Sequence, residues 1–310
     1  MKILFAGTPA AAIPTLDSLS RSLENVVGVL TRPPARQGRK SMLVPSEVSK
    51  RASDLGISLV ETSKPSDAVD ELSSFSPDLG VVVAYGALLK PDVLALPKHG
   101  WINLHFSALP RWRGAAPVQH TIWNRDEFAA TSVFQLEEGL DTGPVYSTWK
   151  VPLAGDETSG DLLERLAVLG ARQVLEVVDL IAKGVTPTPQ SDEGVTYAGR
   201  ISREDAFIDF QGTAEAVSAH IRAVSPTPGA WTLFQGKPLK LGPVRIASEP
   251  FTGAPGTIGA SKKDVVVACV GGAVRLGEVA PAGKRMMNAA DWWRGTRLGS
   301  AIFGEGKSHE

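Results

Sequence analysis

Cysteine is almost missing from this chain of 310 residues, which contains only Cys269. A single cysteine excludes an internal disulfide framework and a zinc site built from several cysteine ligands. Cys269 lies in the apolar run 265–270. That setting predicts a buried strand thiol rather than a reactive one.

Long hydrophobic runs are missing too, since no window approaches the roughly 18 apolar residues of a membrane-spanning helix. The apolar segment 3–6 has no basic leader before it, and we therefore expect a cytoplasmic protein. Neither charge sign dominates: the net charge is −1, with 43% hydrophobic and 21% charged residues. This composition is typical of soluble globular proteins, and the length allows two domains that each bury a core.

Two familiar motifs are also missing. Gly7 follows the first apolar segment, but the second and third glycines of a dinucleotide-binding fingerprint are absent. A turn is therefore predicted there rather than an NAD site. No serine has the strand-turn-helix setting of a nucleophile elbow, and no cysteine nucleophile is nearby. We therefore expect any group transfer to run directly between two bound substrates.

The sequence pattern predicts two domains of different class. Apolar segments and helical periodicities alternate over residues 1–84, which favours a parallel sheet with helices on both faces and ligands at its carboxyl edge. A long helical stretch is followed by a polar, proline-bearing segment typical of a linker. Short apolar runs separated by Gly and Pro turns then have the spacing of an all-β barrel. We predict domains at 1–185 and 207–310, joined by 186–206.

Three polar side chains are predicted to meet where a strand ends. If 101–105 is a strand, Asn103 and His105 leave the same face because they are two residues apart. Asp141 lies in the glycine-flanked turn 139–143, from which it can approach His105 and favour the charged imidazole. An amide donor, an imidazole and a carboxylate at one strand end are suited to acyl transfer.

Six segments spread over the chain carry a family resemblance. They are MKILFAGTP (1–9), VVAYG (82–86), the stretch 102–119, GLDTG (139–143), VTYA (195–198) and PGTI (255–258). Together they resemble the formyltransferases that use 10-formyltetrahydrofolate, and within them the branch that acts on methionyl-tRNA. The resemblance implies an α/β fold, with an N-terminal Rossmann-like, mostly parallel sheet with flanking helices and a C-terminal OB-like β-barrel.

The resemblance also implies a reaction and its residues. The formyl group of 10-formyltetrahydrofolate would pass to the α-amino group of methionyl initiator tRNA, for translation initiation, without a metal. The positions that match the catalytic set are Asn103, His105 and Asp141. The positions that match the folate site are Ser107, Ala108, Leu109, Pro110, Tyr85, Gly86, Gly139 and Leu140. Phe106 and Ala108 depart from the family pattern, but both side chains alternate away from His105.

A second binding surface is predicted in the loop 32–45. Its cations, which no acid accompanies, are Arg32, Arg36, Arg39 and Lys40. A solvated basic loop is one interpretation. In the family a basic insertion follows the second strand and binds the acceptor arm of tRNA, so the resemblance implies tRNA contact here. From residue 207 onward, 12 Lys and Arg stand against 8 Asp and Glu. Such a mild excess is common on inert protein surfaces, and it also suits a tRNA-binding C-terminal domain.

Other conspicuous side chains receive structural interpretations. The sequence Arg111-Trp112-Arg113 follows a turn, where local pairing is favoured over nucleic-acid stacking. Trp292 and Trp293 are predicted to pack a helix rather than to stack on bases. The residues His99 and His120 share none of the spacing of the predicted site.

Three other functions remain open. A formyltransferase acting on a small amine, such as a glycinamide ribonucleotide or an amino sugar, would need neither the basic loop nor the basic C-terminal domain. A formyltetrahydrofolate hydrolase would use the same triad with water as acceptor. A non-catalytic RNA-binding protein would not need the complete set of Asn103, His105 and Asp141. We expect a monomer whose partners are methionyl initiator tRNA and a folate, with no membrane.

Overall fold

The computed structural model describes residues 1–37, 41–249 and 251–304, and of Gln37 it describes the backbone only. The chain divides into two compact units. The first unit contains Met1–Gly114, Ala129–Val151 and Leu163–Tyr197, and the second contains Ala115–Phe128, Pro152–Leu162 and the chain from Ala198 onward. The predicted domain boundary within 186–206 stays a prediction.

The strands, numbered along the chain, are β1 Lys2–Gly7, β2 Asn25–Thr31, β3 Ala35–Gln37, β4 Met42–Val44, β5 Leu59–Glu61, β6 Leu79–Val83, β7 Trp101–His105, β8 Arg113–Gly114, β9 Phe128–Gln135, β10 Val145–Pro152, β11 Tyr197–Ala198, β12 Trp231–Phe234, β13 Lys237–Leu241, β14 Val244–Ile246, β15 Ile258–Ala260, β16 Val265–Cys269, β17 Gly272–Leu276, β18 Glu278–Pro281 and β19 Met287–Asn288. The α-helices are α1 Ile13–Arg21, α2 Glu47–Asp54, α3 Val69–Ser74, α4 Pro91–Leu94, α5 Pro117–Trp123, α6 Ser159–Ala182, α7 Ala214–Ala223 and α8 Ala289–Thr296. Two short 3₁₀ helices cover Ala10–Ala12 and Pro65–Ala68.

A seven-stranded sheet contains the predicted catalytic strand β7. Its order is β10-β9-β7-β6-β1-β2-β5. Strands β5, β2, β1, β6 and β7 run parallel to one another, and β9 runs antiparallel to β7. All five residues of β6 are buried, as expected for a strand covered on both faces. The predicted N-terminal, mostly parallel sheet with flanking helices is confirmed.

The start of β7 is fixed by Trp101, whose side chain is fully buried. Its indole Nε1 donates to the carbonyl oxygen of Val93, 2.9 Å away. The ring packs directly against Gly80 on β6, where an added Cβ would lie 2.1 Å from a ring carbon. Only glycine allows this approach, which anchors β7 four residues before His105.

The second unit contains two four-stranded sheets, β12-β13-β18-β19 and β14-β17-β16-β15. Every pairing between neighbouring strands is antiparallel, so the predicted all-β C-terminal region is confirmed. Trp292 and Trp293 in α8 are buried and pack edge-on against Phe234, which confirms their predicted role in helix packing.

Cys269 ends β16 and is 5% exposed. Burial raises the pKa of its thiol to about 11, so the predicted buried, unreactive strand thiol is confirmed. Across the ranges that the structure describes, every helix is too short or too polar to cross a membrane.

Candidate active site

Asn103 and His105 lie on one face of β7, and the strand is hydrogen bonded on both sides. Asn103 is paired with Val82 of β6 and with Phe134 of β9, and His105 is paired with Ser132. A strand held on both edges has little freedom to move. The two side chains are therefore presented from a rigid part of the fold.

The two nitrogens of the His105 ring have different surroundings, and the side chain is 7% exposed. Nε2 lies 2.9 Å from the carbonyl oxygen of Trp112. Because a carbonyl oxygen can only accept, Nε2 carries the hydrogen and donates it. Nδ1 faces Asp141, with 3.9 Å between Nδ1 and Oδ2. Nδ1 is therefore the ring nitrogen that faces the carboxylate and the site.

Asp141 is held in a tight turn, as predicted from the glycines around it. Its backbone is left-handed, with φ of 52°, and its Oδ2 accepts a 2.7 Å hydrogen bond from the backbone NH of Gly114. At Gly143 an added Cβ would lie 1.8 Å from the carbonyl oxygen of Gln135. The turn can therefore close against β9 only because position 143 is glycine.

Asn103 places an unpaired acceptor in the site. Its Oδ1 is buried and has no hydrogen-bond partner among the residues that the structure describes. Leaving such a group unpaired costs about 1–3 kcal/mol. An unpaired buried amide oxygen close to an imidazole is typical of a ligand-binding site.

The turn 107–110 follows His105 directly and is fastened from inside the protein. Ser107 Oγ donates to the carbonyl oxygen of Arg111 at 2.6 Å. Ser132 Oγ donates to the Ser107 carbonyl at 2.7 Å and accepts from the Leu109 NH at 3.2 Å. The side chains of Ser107 and Leu109 are buried, so Ala108, Pro110 and the backbone are what this turn offers to a ligand.

Tyr85 and Gly86 lie just beyond the carboxyl end of β6. Tyr85 is 1% exposed, and its hydroxyl donates to the carbonyl oxygen of Thr62 at 2.7 Å. Burial raises the pKa of this phenol to about 12. The Tyr85 side chain therefore belongs to the core, and only its backbone can face a ligand. Gly86 has φ of 83°.

Leu140, one of the predicted folate-site residues, is 61% exposed. It lies between Gly139 and Asp141 in the tight turn. The turn thus presents an apolar side chain to solvent next to the carboxylate that faces His105. An exposed apolar side chain beside polar reactive groups suits contact with a partly apolar ligand.

The predicted tRNA loop contains a short antiparallel hairpin, β3–β4. Arg36 is exposed on β3, and its guanidinium donates to the Ser41 carbonyl oxygen at 3.3 Å. Arg32 donates instead to the Gly86 carbonyl oxygen at 2.7 Å, which joins the start of this loop to the segment after β6. Arg39 and Lys40 lie outside the described residues.

Sequence reasoning missed two residues whose side chains bond to the backbone near the candidate catalytic residues. Gln190 and Thr196 lie in the segment predicted as a linker, yet they bond to the backbone around Asp141 and Trp112. The available signal was the VTYA segment at 195–198, which contributed to the family resemblance without an assigned role.

Comparisons with known proteins agree with this geometry. The family described as formyl transferase matches residues 1–178, and its C-terminal domain matches residues 200–297. A methionyl-tRNA formyltransferase of Thermobifida fusca is 48% identical over 302 residues, which are 96% of this chain and 97% of the relative.

Solved structures resemble the fold at low sequence identity. An N-formyltransferase from Helicobacter canadensis, in complex with folinic acid and dTDP-3-aminofucose, gives a TM-score of 0.68 at 16% identity over 89% of this chain and 98% of that one. A methionyl-tRNA formyltransferase from Clostridium thermocellum gives 0.57 at 14% identity over 89% and 98%. Because both domains match and a relative is nearly half identical over almost the whole length, the chain belongs to the formyltransferase family, among the methionyl-tRNA formyltransferases.

Proposed function

We propose that this protein transfers the formyl group of 10-formyltetrahydrofolate to the α-amino group of methionyl initiator tRNA. The observation that carries the proposal is the arrangement of Asn103, His105 and Asp141 at the end of β7, with Nδ1 of His105 3.9 Å from the Asp141 carboxylate. The methionyl-tRNA formyltransferase of Thermobifida fusca, which is 48% identical to this chain, supports both the reaction and the acceptor.

The amine, as free base, attacks the formyl carbon, and the carbonyl oxygen becomes an oxyanion. The Asn103 amide and the charged His105 ring, through Nδ1–H, donate hydrogen bonds to that oxygen. Loss of one such donor typically lowers the rate about 10²–10³-fold. Since Nε2 is engaged with the Trp112 carbonyl, Nδ1 is the donor available for this role.

Asp141 stabilises the positive charge on His105 by direct attraction. As the new bond to the methionyl nitrogen forms and the bond to the folate nitrogen breaks, one proton leaves the amine and one reaches the folate nitrogen. Asp141 and His105 relay this proton, either directly or through water. Nothing in this step requires a metal.

The folate is proposed to lie along the turn 107–110, the backbone of 85–86 and the turn 139–143. These segments follow β7, β6 and β9, which are neighbours in the sheet. The unpaired Asn103 oxygen fits a ligand that brings a hydrogen-bond donor. A folate-bound formyltransferase of similar fold supports the choice of formyl donor.

The acceptor is proposed to be recognised by the loop 32–45, through Arg32, Arg36, Arg39 and Lys40, and by the basic C-terminal part. Exposed cations attract a phosphate backbone. Arg32 has an additional structural role, because its hydrogen bond to Gly86 joins the basic loop to the proposed folate site.

The test is a formylation assay with 10-formyltetrahydrofolate and methionyl initiator tRNA, beside reactions with free methionine and with no acceptor. We expect formyl-methionyl-tRNA from the charged tRNA only. Release of formate without an acceptor would indicate a hydrolase. Absence of product in all three reactions would contradict the proposal and point to a small-amine acceptor or a binding role.

A further inference from the structure

The segment 188–197, which we call the strap, forms hydrogen bonds to the backbone of the Asp141 turn and to the backbone of Trp112, whose carbonyl oxygen contacts His105. Its first residue, Thr188, pairs with Val145 through two backbone hydrogen bonds of 2.7 and 2.9 Å. Beyond this pair, two strap side chains, Gln190 and Thr196, are used in bonds to the segments that hold Asp141 and His105.

Gln190 uses every hydrogen-bonding position of its amide. Its Nε2 donates to the carbonyl oxygens of Asp141 and Gly143, both at 2.8 Å. Its Oε1 accepts from Nε and Nη2 of Arg113 at 3.1 and 2.7 Å. Arg113 is 9% exposed, so this link is largely shielded from water. Gln190 therefore ties the turn of Asp141 to the segment whose next NH, that of Gly114, binds the Asp141 carboxylate.

The backbone of Asp141 needs such support. A non-glycine residue with φ of 52° is strained by roughly 1–3 kcal/mol and persists only when its surroundings hold it. The bonds from Gln190 to Asp141 and Gly143 fix the turn on either side of Thr142. The distance between the carboxylate and His105 Nδ1 is set by this turn.

Thr196 bonds to the backbone around Trp112, whose carbonyl oxygen contacts Nε2 of His105. Its Oγ1 accepts from the Trp112 NH at 2.8 Å, and its carbonyl oxygen accepts from the Arg113 NH at 2.9 Å. Trp112 is also left-handed, with φ of 60°. These two bonds flank the Trp112 carbonyl and fix its direction, and that carbonyl receives the Nε2 hydrogen of His105.

We infer that Gln190 and Thr196 are positioning residues for the reaction: Thr196 sets the ring orientation and tautomer of His105 through Trp112, and Gln190 sets the place of Asp141. This inference rests on the proposed function. The strap is thus part of the catalytic framework rather than a passive connection. Small displacements of reacting groups are expected to lower the rate up to about 10²-fold.

The first test compares Thr196→Val, which removes the acceptor but keeps the shape, with Thr196→Ser, which restores the hydroxyl. Thr188→Val is the matched control, because Thr188 is an exposed strap threonine that pairs through its backbone. We expect kcat of Thr196→Val to fall about 10–100-fold, with KM for tRNA and folate within about twofold. Thr196→Ser and Thr188→Val should retain kcat within about threefold.

A second measurement follows the His105 tautomer without activity. In protein labelled with ¹⁵N-histidine, the Nε2–H signal of His105, assigned by its loss in His105→Gln, should be present in wild type, Thr196→Ser and Thr188→Val. It should be lost or shifted in Thr196→Val at unchanged Tm. An unchanged signal, or equal kcat in Thr196→Val and wild type, would overturn the role of Thr196 even if the wild type formylates tRNA as proposed.

Gln190 is tested separately by Gln190→Glu, which keeps an acceptor for Arg113 and removes both donors to the turn. We expect kcat to fall about 10–100-fold, with KM for tRNA and folate within about twofold. A variant with normal kcat would overturn the role of Gln190. Wild-type protein that shows the Nε2–H signal but formylates nothing would contradict the proposed function, while the tautomer test of Thr196 would still stand.

Discussion

At the scale of single residues, the proposed chemistry depends on the different surroundings of the two ring nitrogens of His105. Nε2 is engaged with the Trp112 carbonyl at 2.9 Å, whereas Nδ1 faces the Asp141 carboxylate at 3.9 Å. The separation on the Nδ1 side is longer than a hydrogen bond. An oxyanion can therefore receive the Nδ1 hydrogen while the carboxylate supplies attraction from nearby.

Replacing Asp141 with Asn tests that attraction. The amide keeps the size of the side chain and an oxygen for the Gly114 NH, but it loses the negative charge that stabilises charged His105. We expect kcat to fall by about 10² or more, with little change in the Kd for tRNA. Single-turnover formylation and a filter-binding assay measure the two quantities.

The control for Asp141→Asn is Asp70→Asn, which removes one exposed carboxylate from the first turn of α3. Its turnover should equal that of wild type. Near-normal turnover of Asp141→Asn would show that the catalytic assignment of Asp141 is wrong.

At the scale of elements, α8 shows how one cap supports a cluster of aromatic rings. The side chain of Asn288 accepts from the NH groups of Ala290 and Asp291, at 2.9 and 3.4 Å. The helix then buries Trp292 and Trp293, and Trp292 also stacks on Phe303 at 6.1 Å between centroids. Loosening the first turn should weaken this packing.

Asn288→Ala should lower the free energy of unfolding by about 0.5–2 kcal/mol, because two NH groups at the helix start lose their acceptor. Asn288→Ser should keep most of the wild-type value, since serine is a good N-cap. Urea titration followed by tryptophan fluorescence compares the three proteins. Equal midpoints for the alanine and wild-type proteins would contradict this role of the cap.

At the scale of the whole molecule, net charge affects binding to a polyanion, and pH affects the free energy of unfolding. The net charge is −1, so attraction to a polyanion must come from the local distribution of cations rather than from the total. The loop 32–45 and the excess of cations after residue 207 are where the sequence concentrates that attraction.

The combined change Arg36→Gln, Arg39→Gln and Lys40→Gln should weaken tRNA binding and flatten its salt dependence. Each lost phosphate contact makes the slope of log K against log[salt] less negative by about 0.9 for a duplex. Fluorescence titration at several salt concentrations gives the slope. Arg21→Gln, at a cation on α1 with a side chain 73% exposed, is the control and should leave the slope unchanged. An unaltered slope in the triple variant would remove the loop from the tRNA interface.

His220 makes overall stability depend on pH. Burial lowers the pKa of this imidazole below its ordinary 6.5. The ring stacks on Trp123 with 4.0 Å between centroids, and Nε2 donates to the Asp205 carbonyl oxygen at 2.6 Å. The folded state therefore binds fewer protons than the unfolded chain, and stability falls as the pH drops below about 6.5 toward the folded pKa.

His220→Gln should flatten this loss of stability as the pH drops below about 6.5, because the titrating group is removed. Urea titrations at several pH values give the free energy of unfolding for each protein. His99→Gln, at an exposed histidine, should follow the wild-type pH dependence. A His220→Gln profile parallel to that of wild type would exclude His220 as the source.

Much of the fold follows from local pattern. The continuous apolar run of β6 predicts a strand covered on both faces, and two-residue spacing puts Asn103 and His105 on one face of β7. The antiparallel strand β9, which completes the environment of β7, was not predicted. Its neighbour is chosen by long-range pairing between residues about 30 positions apart, such as His105 and Ser132, which no local periodicity encodes.

The sequence by itself therefore determined the class of each region, the family and the three candidate catalytic residues, because strand periodicity, turn chemistry and motif spacing are local properties. Only the tertiary structure decided which nitrogen of His105 faces Asp141, that Tyr85 belongs to the core, and that Gln190 and Thr196 bond to the backbone around Asp141 and Trp112. These depend on hydrogen bonds between segments as far apart as Trp112 and Thr196. Such bonds form only when the folded backbone brings a donor within about 3 Å of an acceptor in the right direction.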